Sequence, residues 1–418
     1  MLNASQIHKP WSDSDRAVRL AALIDIYPGI NGEICVGGAE TNLQRLIQFI
    51  QRNHGGEIQS TVFVRRGTLV AQDPLLNSSS SNPSFVRPWS LSRLTSFLIR
   101  EQRQIDLLYL VDKTLYFRVI LLLRVLKGFK KPILFRVTSS KFLDYLKWIP
   151  AWLRTLLYQK FLGGRRDIFV LSLSQDCYDR LRTLGIDKDR IISIPNAVDL
   201  SRYQPPQDKS SIRLMRERLF PEMNSDGCVF VYVGRIIGWH KRVDHLLEAW
   251  NLSGLSARGH RLLLVGAPKK DVFITDGFKI WERCGPVDGR RGVGKLEGTY
   301  WTGLVPVEDI PSYLWMSDVF VLPSDFEGMS NAAIEALASG LPVIGRRGVS
   351  GNAELIDSQV TGMFFENIPE LVQRLQWMTL SENRKGMREA ALHKAQGFSV
   401  DSMCNRYVSF FKSIRSAQ

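Results

Sequence analysis

Cysteine is scarce in this sequence, and its spacing matches neither a zinc site nor a disulfide framework. Five cysteines are scattered along 418 residues, and none forms a C-x-x-C pair or stands with histidines at metal-binding distance. No acidic metal cluster stands out either. The sequence therefore excludes a small disulfide-built fold. We predict reduced thiols and no bound metal.

Long hydrophobic runs are also missing. No stretch reaches the about 18–20 apolar residues of a membrane-spanning helix. The most apolar stretch, Val119–Leu123, is flanked by Arg118 and Arg124. The first 15 residues are polar and lack the apolar segment of a signal peptide. These absences predict a cytoplasmic protein.

Acidic residues are few in the first half of the chain. Residues 1–200 carry 28 Lys and Arg against 17 Asp and Glu, a large share of the net charge of +14. Within residues 113–166 there are 13 basic residues, and Asp144 is the one acid. The same segment contains the aromatic residues Phe142, Tyr145, Trp148, Trp152, Tyr158 and Phe161. Basic residues interleaved with aromatics predict contact with an anionic membrane surface.

Two other interpretations of segment 113–166 exist. A solvated basic face with its apolar residues packed inward explains the composition without any membrane. Nucleic-acid binding would suit the charge alone. Neither zinc-finger spacing nor an RNP-type aromatic motif accompanies it, so we expect no nucleic-acid partner.

The order of predicted elements indicates an α/β protein. Strand-like and helix-like stretches alternate in both halves, as in Val18–Ile26 followed by Ala39–Asn53, and Cys228–Val233 followed by Val243–Trp250. Such alternation predicts parallel sheets with right-handed crossovers. Two halves joined near Pro205 predict two Rossmann-like domains facing a cleft.

The predicted domains span residues 1–205 and 206–398, and the last segment, 399–418, contains a helix. This amphipathic helix covers Val400–Ile414. Two segments rich in polar residues and glycine or proline, Asp73–Pro88 and Phe273–Gly298, are predicted to be loops.

The pair Glu327 and Glu335 is the most informative feature of the sequence. The two carboxylates bracket a glycine-containing turn and the start of a helix, directly after the strand-like segment Asp318–Ser324. A loop at the carboxyl end of a strand, leading into a helix, is where open α/β sheets bind ligands. Helix N-termini there favour phosphate or sugar oxygens.

Two basic residues follow the first predicted strand of the second half. Gly234 permits close backbone approach, and Arg235 and Lys241 place two cations at the strand's carboxyl end. An Arg fork with a Lys point charge suits a diphosphate. Taken alone, the pair reads more readily as surface charge. His240, beside Lys241, is predicted to be a bystander.

Several segments together resemble the GT4-type (group 1) retaining glycosyltransferases of the GT-B fold. They are Gly37–Glu40, Ile194–Asp199, Gly234-Arg235 with Lys241, Pro323–Val343 and Gly351–Ile356. The resemblance covers nearly the whole chain and implies that the first domain binds the acceptor and the second binds a nucleotide-sugar. It also implies that the final helix crosses back to the first domain.

The resemblance further implies a donor site. Its residues are Gly37, Gly38, Gly234, Arg235, Lys241, Gly266, Glu327, Gly328, Met329, Ser330, Asn331 and Glu335. In this scheme Arg235 and Lys241 hold the diphosphate, and Glu335 binds the ribose hydroxyls. Glu327 contacts the sugar together with the amides of 328–331. Arg235, Lys241 and Glu327 are the predicted catalytic residues.

The implied reaction moves a sugar from a UDP- or GDP-sugar to a hydroxyl of a glycan or lipid-linked glycan, in cell-surface polysaccharide biosynthesis. The leaving diphosphate gains negative charge in an oxocarbenium-like transition state, which fixed cations stabilise. Retention is expected without a protein nucleophile, and Glu327 in that role is the less favoured alternative. No cofactor is expected, because the nucleotide-sugar is a substrate.

One departure from the family pattern bears on activity. The family commonly has Thr-x-His after the strand that corresponds to Ile133–Val137, whereas this chain has Ser140 in the histidine's place. Ser140 is therefore a candidate sugar contact. The departure keeps open a non-catalytic nucleotide- or glycan-binding protein, and a nucleotide-sugar epimerase remains a further alternative on the same fold. The donor sugar, the base and the acceptor are left open.

Overall fold

A computed structural model shows an α/β protein with two sheets. The described residues are 17–24, 38–65, 85–89, 91–100, 102–111, 120, 123, 126, 128–137, 150, 152–153, 156, 159, 167–221, 227–268, 280 and 292–416. Gly37 and Ser140, two of the predicted site residues, lie outside the described residues.

The first sheet has seven parallel strands in the order β3-β2-β1-β4-β5-β6-β7. Their bounds are β1 Val18–Ile24, β2 Ile58–Arg65, β3 Phe85–Trp89, β4 Leu107–Val111, β5 Ile133–Arg136, β6 Ile168–Ser172 and β7 Ile191–Ser193. Strands β4 and β5 are buried along their whole length, as expected for a parallel sheet covered on both faces. The strand order changes direction between β1 and β4.

The second sheet also has seven strands, in the order β10-β11-β9-β8-β12-β13-β14. Their bounds are β8 Val229–Val233, β9 Arg261–Val265, β10 Gly292–Val293, β11 Thr299–Trp301, β12 Val319–Leu322, β13 Val343–Arg346 and β14 Gly362–Phe365. All neighbours pair in parallel except β10 and β11. Here the order changes direction between β8 and β12.

Helices connect and cover the strands. Their bounds are α1 Gly38–Asn53, α2 Leu91–Arg100, α3 Gln175–Thr183, α4 Leu200–Tyr203, α5 Ser210–Leu219, α6 Val243–Ser253, α7 Ile310–Trp315, α8 Asn331–Ala338, α9 Asn352–Leu355, α10 Ile368–Met378, α11 Met387–Ala395 and α12 Val400–Ser416. Ser330 caps α8 by accepting a hydrogen bond from the Ala333 amide at 3.3 Å. This cap starts α8 immediately after the loop that carries Glu327.

The C-terminal helix α12 returns to the first domain. The hydroxyls of Tyr109 on β4 and Tyr407 on α12 lie 2.9 Å apart in the core, and the rings of Phe169 and Phe410 meet edge to face. At the start of this return, Val198 pairs with Ser399 through backbone hydrogen bonds. The prediction of two parallel-sheet domains with a helix that crosses back is confirmed.

Two sequence predictions need comment. The segment Asp73–Pro88 was expected to be a loop, but its last residues belong to strand β3, whose pairing with β2 depends on contacts distant in sequence. The segment Phe273–Gly298 contains the short strand β10, and most of its other residues lie outside the described ranges. The domain boundaries at 205 and 398 stay predictions.

Candidate functional site

The loops after β8 and β12 meet at the point where the second sheet changes direction. This position is the usual ligand site of an open α/β sheet. The loops, residues 234–242 and 323–330, brace each other through the backbone, since the amide of Asp325 donates to the carbonyl of His240 at 3.0 Å. His240 Nε2 donates to the Phe326 carbonyl at 3.0 Å, and their rings stack at 4.2 Å.

Lys241 and Glu327 form a close ion pair between these loops. Lys241 Nζ lies 2.5 Å from Glu327 Oε1, and the hydroxyl of Ser324 donates to the same oxygen at 2.8 Å. Burial by itself disfavours the charged carboxylate, but the charge and hydrogen bond of Lys241 outweigh it and lower the pKa of Glu327. Glu327 is therefore ionised at neutral pH and able to accept hydrogen bonds.

His240 has a structural role in this brace. Burial, followed by the charge of Lys241, lowers its pKa to about 4. The ring is therefore neutral at pH 7, and its Nε2 proton is used by the Phe326 carbonyl. The stacked, neutral ring joins the two loops and adds no positive charge.

Arg235 follows the end of β8, where Gly234 packs against Gly266 at the end of β9. The Tyr232 hydroxyl donates to the Arg235 carbonyl at 2.8 Å. Gly234 and Gly266 have φ of +152° and +135°, and a Cβ on Gly266 would lie 2.0 Å from the Gly234 carbonyl oxygen. Within the described part of the chain, no carboxylate pairs with the Arg235 side chain. Its guanidinium is thus available to an anion.

Glu335 lies on α8 and faces the first domain. Its carboxyl oxygen Oε1 is 3.8 Å from Arg45 on α1, and Tyr203 and Arg202 on α4 lie close by. Arg45 also donates to the Ala197 carbonyl. Burial raises the pKa of Glu335 against the opposing charge of Arg45. The carboxyl predicted to bind ribose is therefore held at the interface of the two domains.

The N-terminus of α1 contacts the N-terminus of α8 through Asn42. Its amide nitrogen donates to the Gly38 carbonyl at 2.7 Å and to Asn331 Oδ1 at 3.1 Å, and its amide oxygen accepts from Ala197 N at 3.1 Å. A Cβ on Gly38 would lie 3.1 Å from the Asn331 side chain. The two domains therefore approach closely at position 38, where a side chain would require Asn331 to shift.

Asn196 makes a second link between the domains. It accepts a hydrogen bond from buried Arg136 at 2.6 Å and donates to the Met329 carbonyl at 2.9 Å. Gly351 supports the same loop from the other side, because a Cβ there would lie 2.3 Å from the Gly328 carbonyl oxygen. The loop before α8 is therefore fixed by both domains.

The structure brings most of the predicted donor-site residues together around the ends of β8 and β12 and the start of α1. Sequence reasoning missed the residues by which the first domain and the loops support them. These are Asn42, Arg45, Asn196, Tyr203 and Ser324. Asn196 and Ser324 belonged to segments singled out in the sequence, although neither was assigned a role; the others stand on ordinary helix positions. Their roles as substrate contacts stay predictions.

Two absences hold for the residues that the structure describes. Their histidines, cysteines, aspartates and glutamates form no group of three or more that could hold a metal ion. Among their helices, none combines the length and the apolar character needed to span a membrane.

Two family models match the chain. One, described as Glycosyl transferases group 1, matches residues 227–380, and one described as Glycosyltransferase Family 4 matches residues 36–202. The two matches fall on the two sheet-containing halves of the chain.

Two curated relatives are similar over part of the chain. An Escherichia coli UDP-Gal:alpha-D-GlcNAc-diphosphoundecaprenol alpha-1,3-galactosyltransferase is 29% identical over 196 residues, which is 44% of this chain and 44% of that protein. A Bacillus subtilis putative teichuronic acid biosynthesis glycosyltransferase, TuaC, is 31% identical over 176 residues, 42% of this chain and 37% of the relative. The chain thus spans less than half the length of these two relatives.

A solved structure shares the whole fold. Anabaena Alr3699/HepE in complex with UDP-glucose superposes with a TM-score of 0.68 at 18% identity, covering 94% of this chain and 99% of that one. This likeness confirms the predicted GT-B architecture. With both halves matched by family models and with glycosyltransferases as relatives, the chain belongs to the group 1, GT4-type glycosyltransferases.

Proposed function

We propose that this enzyme transfers a sugar from a UDP-sugar to a hydroxyl of a lipid-linked glycan, with retention of anomeric configuration, in polysaccharide biosynthesis. The observation that carries the proposal is the joint placement of Arg235, Lys241, Glu327 and Glu335 where the second sheet changes direction and meets the first domain. The printed names of the galactosyltransferase relative and of the HepE complex support a UDP-sugar donor.

The charges of the site suit cleavage of a sugar–diphosphate bond. Arg235 and Lys241 supply two cations, and Lys241 is oriented by Glu327 before substrate arrives. Negative charge that grows on the departing diphosphate is stabilised most by cations that need no reorganisation. Ionised Glu327 accepts hydrogen bonds from sugar hydroxyls, which orients the ring.

Retention follows if the acceptor attacks from the face that the diphosphate leaves. The bond from the anomeric carbon to the β-phosphate oxygen breaks, and a bond to the acceptor oxygen forms on the same side. The acceptor proton passes to the departing phosphate oxygen, so no protein base is needed. Glu327 is a weak nucleophile in this arrangement, since Lys241 and Ser324 hold its Oε1 and Lys241 lowers the pKa of the carboxyl against burial, which makes the carboxylate less basic.

The donor assignment is tested by incubating the purified protein with UDP- and GDP-sugars, with and without a membrane extract, and measuring the released nucleoside diphosphate. We expect release from a UDP-sugar, increased by the extract and lowered at least about tenfold in Glu335→Ala, because a charge-assisted hydrogen bond to the ribose is lost. Glu217→Ala, which removes an exposed carboxylate on α5, is the matched control.

Other outcomes of that assay would select other functions. Release of nucleoside diphosphate from GDP-sugars alone would show that the donor carries guanine and not uracil. An epimerised free nucleotide-sugar would indicate an epimerase. Nucleotide binding without turnover of any donor, even with the extract, would indicate the non-catalytic alternative.

We also propose that the first domain binds to the anionic surface on the cytoplasmic side of a membrane. Trp152 and Leu156 are four residues apart on helical backbone and are 66% and 51% exposed, and Leu126 in the same segment is 69% exposed. Exposed apolar side chains within a segment that carries 13 basic residues suit an interface of anionic headgroups. A lipid-linked acceptor would be presented at such a surface.

Removing this charge is expected to release the protein from membranes. In a variant with Lys147, Arg154, Lys160, Arg165 and Arg166 replaced by Ser, binding to vesicles of anionic lipid should fall strongly, since each basic residue near the surface contributes about 1 kcal/mol. Co-sedimentation measures this, with neutral vesicles as control. Unchanged binding to anionic vesicles would refute the membrane proposal.

A further inference from the structure

The ion pair of Arg45 and Glu335 links the two domains of the chain. Arg45 belongs to α1 of the first domain, and Glu335 belongs to α8 of the second. Their side chains are only 14% and 13% exposed. A buried carboxylate held by a cation on the other domain is costly to leave unpaired, so its protonation depends on how the two domains meet.

Arg45 is itself held in place. Its second contact, to the carbonyl of Ala197, anchors the guanidinium to the segment that connects the two domains. Ala197 in turn donates its amide to Asn42, one turn earlier on α1. Contacts within the chain therefore orient the guanidinium beside Glu335 without any ligand.

We propose that Arg45 is a positioning residue for the nucleotide, which acts through Glu335 by keeping that carboxyl ionised and oriented toward the ribose. The inference rests on the proposed function, in which Glu335 accepts hydrogen bonds from ribose hydroxyls. It adds a side chain of the first domain, besides the predicted donor-site glycines Gly37 and Gly38, to the groups that determine donor affinity. The geometry that supports it is the 3.8 Å buried contact together with the anchored guanidinium.

The groups that face Glu335 define how its charge responds to pH. Arg45 comes from α1, and Tyr203 and Arg202 come from α4, with Arg202 also 3.7 Å from Glu308. Burial raises the pKa of Glu335 and Arg45 opposes that rise. Without Arg45, the pKa should rise further, so the carboxyl would stay protonated to higher pH and would bind ribose less well.

The first test measures the dissociation constant of UDP from pH 5 to 8.5 by calorimetry. In Arg45→Ala the midpoint of the pH dependence should move upward, with binding at pH 6 weaker by about tenfold and the difference narrowing at pH 8.5. Arg45→Lys should show the same dependence of UDP affinity on pH as the unsubstituted protein. Glu335→Gln should bind UDP weakly, with an affinity that lacks the contribution of this carboxyl to the pH dependence. Arg19→Ala removes another partly buried ion pair of the first domain, between Arg19 on β1 and Asp106 just before β4, and should leave the midpoint in place.

A second test needs no nucleotide. A carboxyl with a raised pKa in the folded state loses stabilisation as the pH rises through the interval between its unfolded and folded values. The melting temperature of Arg45→Ala should therefore fall increasingly below that of the unsubstituted protein between pH 5 and 8. Adding Glu335→Gln should remove this divergence.

The outcomes separate this inference from the proposed function. If the unsubstituted protein binds UDP and Arg45→Ala keeps the same pH midpoint, Arg45 does not act through Glu335, and the proposed function stands. If the melting temperatures diverge as expected but the unsubstituted protein binds no nucleoside diphosphate, the proposed function fails and the role of Arg45 in it fails too. If the melting temperatures of Arg45→Ala and of the unsubstituted protein changed with pH in the same way, Arg45 would not control the protonation of Glu335.

Discussion

Replacing Lys241 with alanine is expected to lower turnover of the proposed transfer by about 10²–10³-fold, the usual loss when one preorganised charge-stabilising group is removed. The substitution removes a cation from the diphosphate position and also leaves Glu327 buried without the cation that lowers its pKa. Donor orientation and leaving-group stabilisation should therefore be lost together. Release of nucleoside diphosphate at saturating donor measures the effect.

Lys394→Ala is the matched control for this prediction. Lys394 also forms a 2.9 Å ion pair in the second domain, with Asp357, but on a more exposed surface. Exposed pairs contribute about 1 kcal/mol or less, so its turnover should stay within about twofold of the unsubstituted enzyme. Equal activity of Lys241→Ala and Lys394→Ala would remove Lys241 from the catalytic set.

Gly266→Ala is expected to destabilise the second domain by about 2–5 kcal/mol, because it combines backbone strain with a steric overlap. Gly266 has φ of +135°, and the new Cβ would lie 2.0 Å from the carbonyl oxygen of Gly234. The overlap forces the ends of β8 and β9 apart and displaces Arg235, so nucleotide affinity should fall as well. Urea unfolding and calorimetry measure the two effects.

Gly254→Ala separates strain from overlap. Gly254 ends α6 at φ of +64°, and a Cβ there would meet nothing within 4 Å. The substitution should cost about 1 kcal/mol from the left-handed backbone alone and leave nucleotide affinity unchanged. If Gly266→Ala cost no more than Gly254→Ala, the contact between the two glycine turns would not be tight in solution.

Much of the fold could be predicted from local pattern. Apolar runs such as Ile168–Ser172 and Val319–Leu322, the latter inside the predicted strand-like segment Asp318–Ser324, are largely buried strands in the structure. The helix α8 begins at Asn331 as expected, because Ser330 caps it and Gly340 follows its end. These signals are short-range, and sequence displays them directly.

The order of the strands in each sheet could not be predicted from local sequence patterns. Neighbours such as β8 and β12 are about 90 residues apart and pair in parallel, so no hairpin turn marks their contact. Strand β3 could not be recognised for the same reason, since a stretch rich in serine and proline precedes it and the partner β2 lies before that stretch.

Some residues of the candidate site could be predicted from local sequence, and others depend on contacts distant in sequence. Arg235, Lys241, Glu327 and Glu335 were predicted from the residues around them, which form a strand end and a helix start. Arg45 was not, because it stands on the polar side of a helix where basic residues are ordinary, and its partner is 290 residues away. Only the meeting of α1 with α8 gives that side chain a role.

The paired backbone at Val198 and Ser399 has a mechanical consequence. The chain passes between the domains twice, and at these residues the two passages are bonded side by side, with Val198 N donating to the Phe398 carbonyl at 2.9 Å and Val400 N to the Val198 carbonyl at 3.2 Å. We therefore expect any rotation of one domain against the other to bend both passages at this same place. Such a rotation would also break the contacts by which Asn42, Arg45 and Asn196 join the two domains.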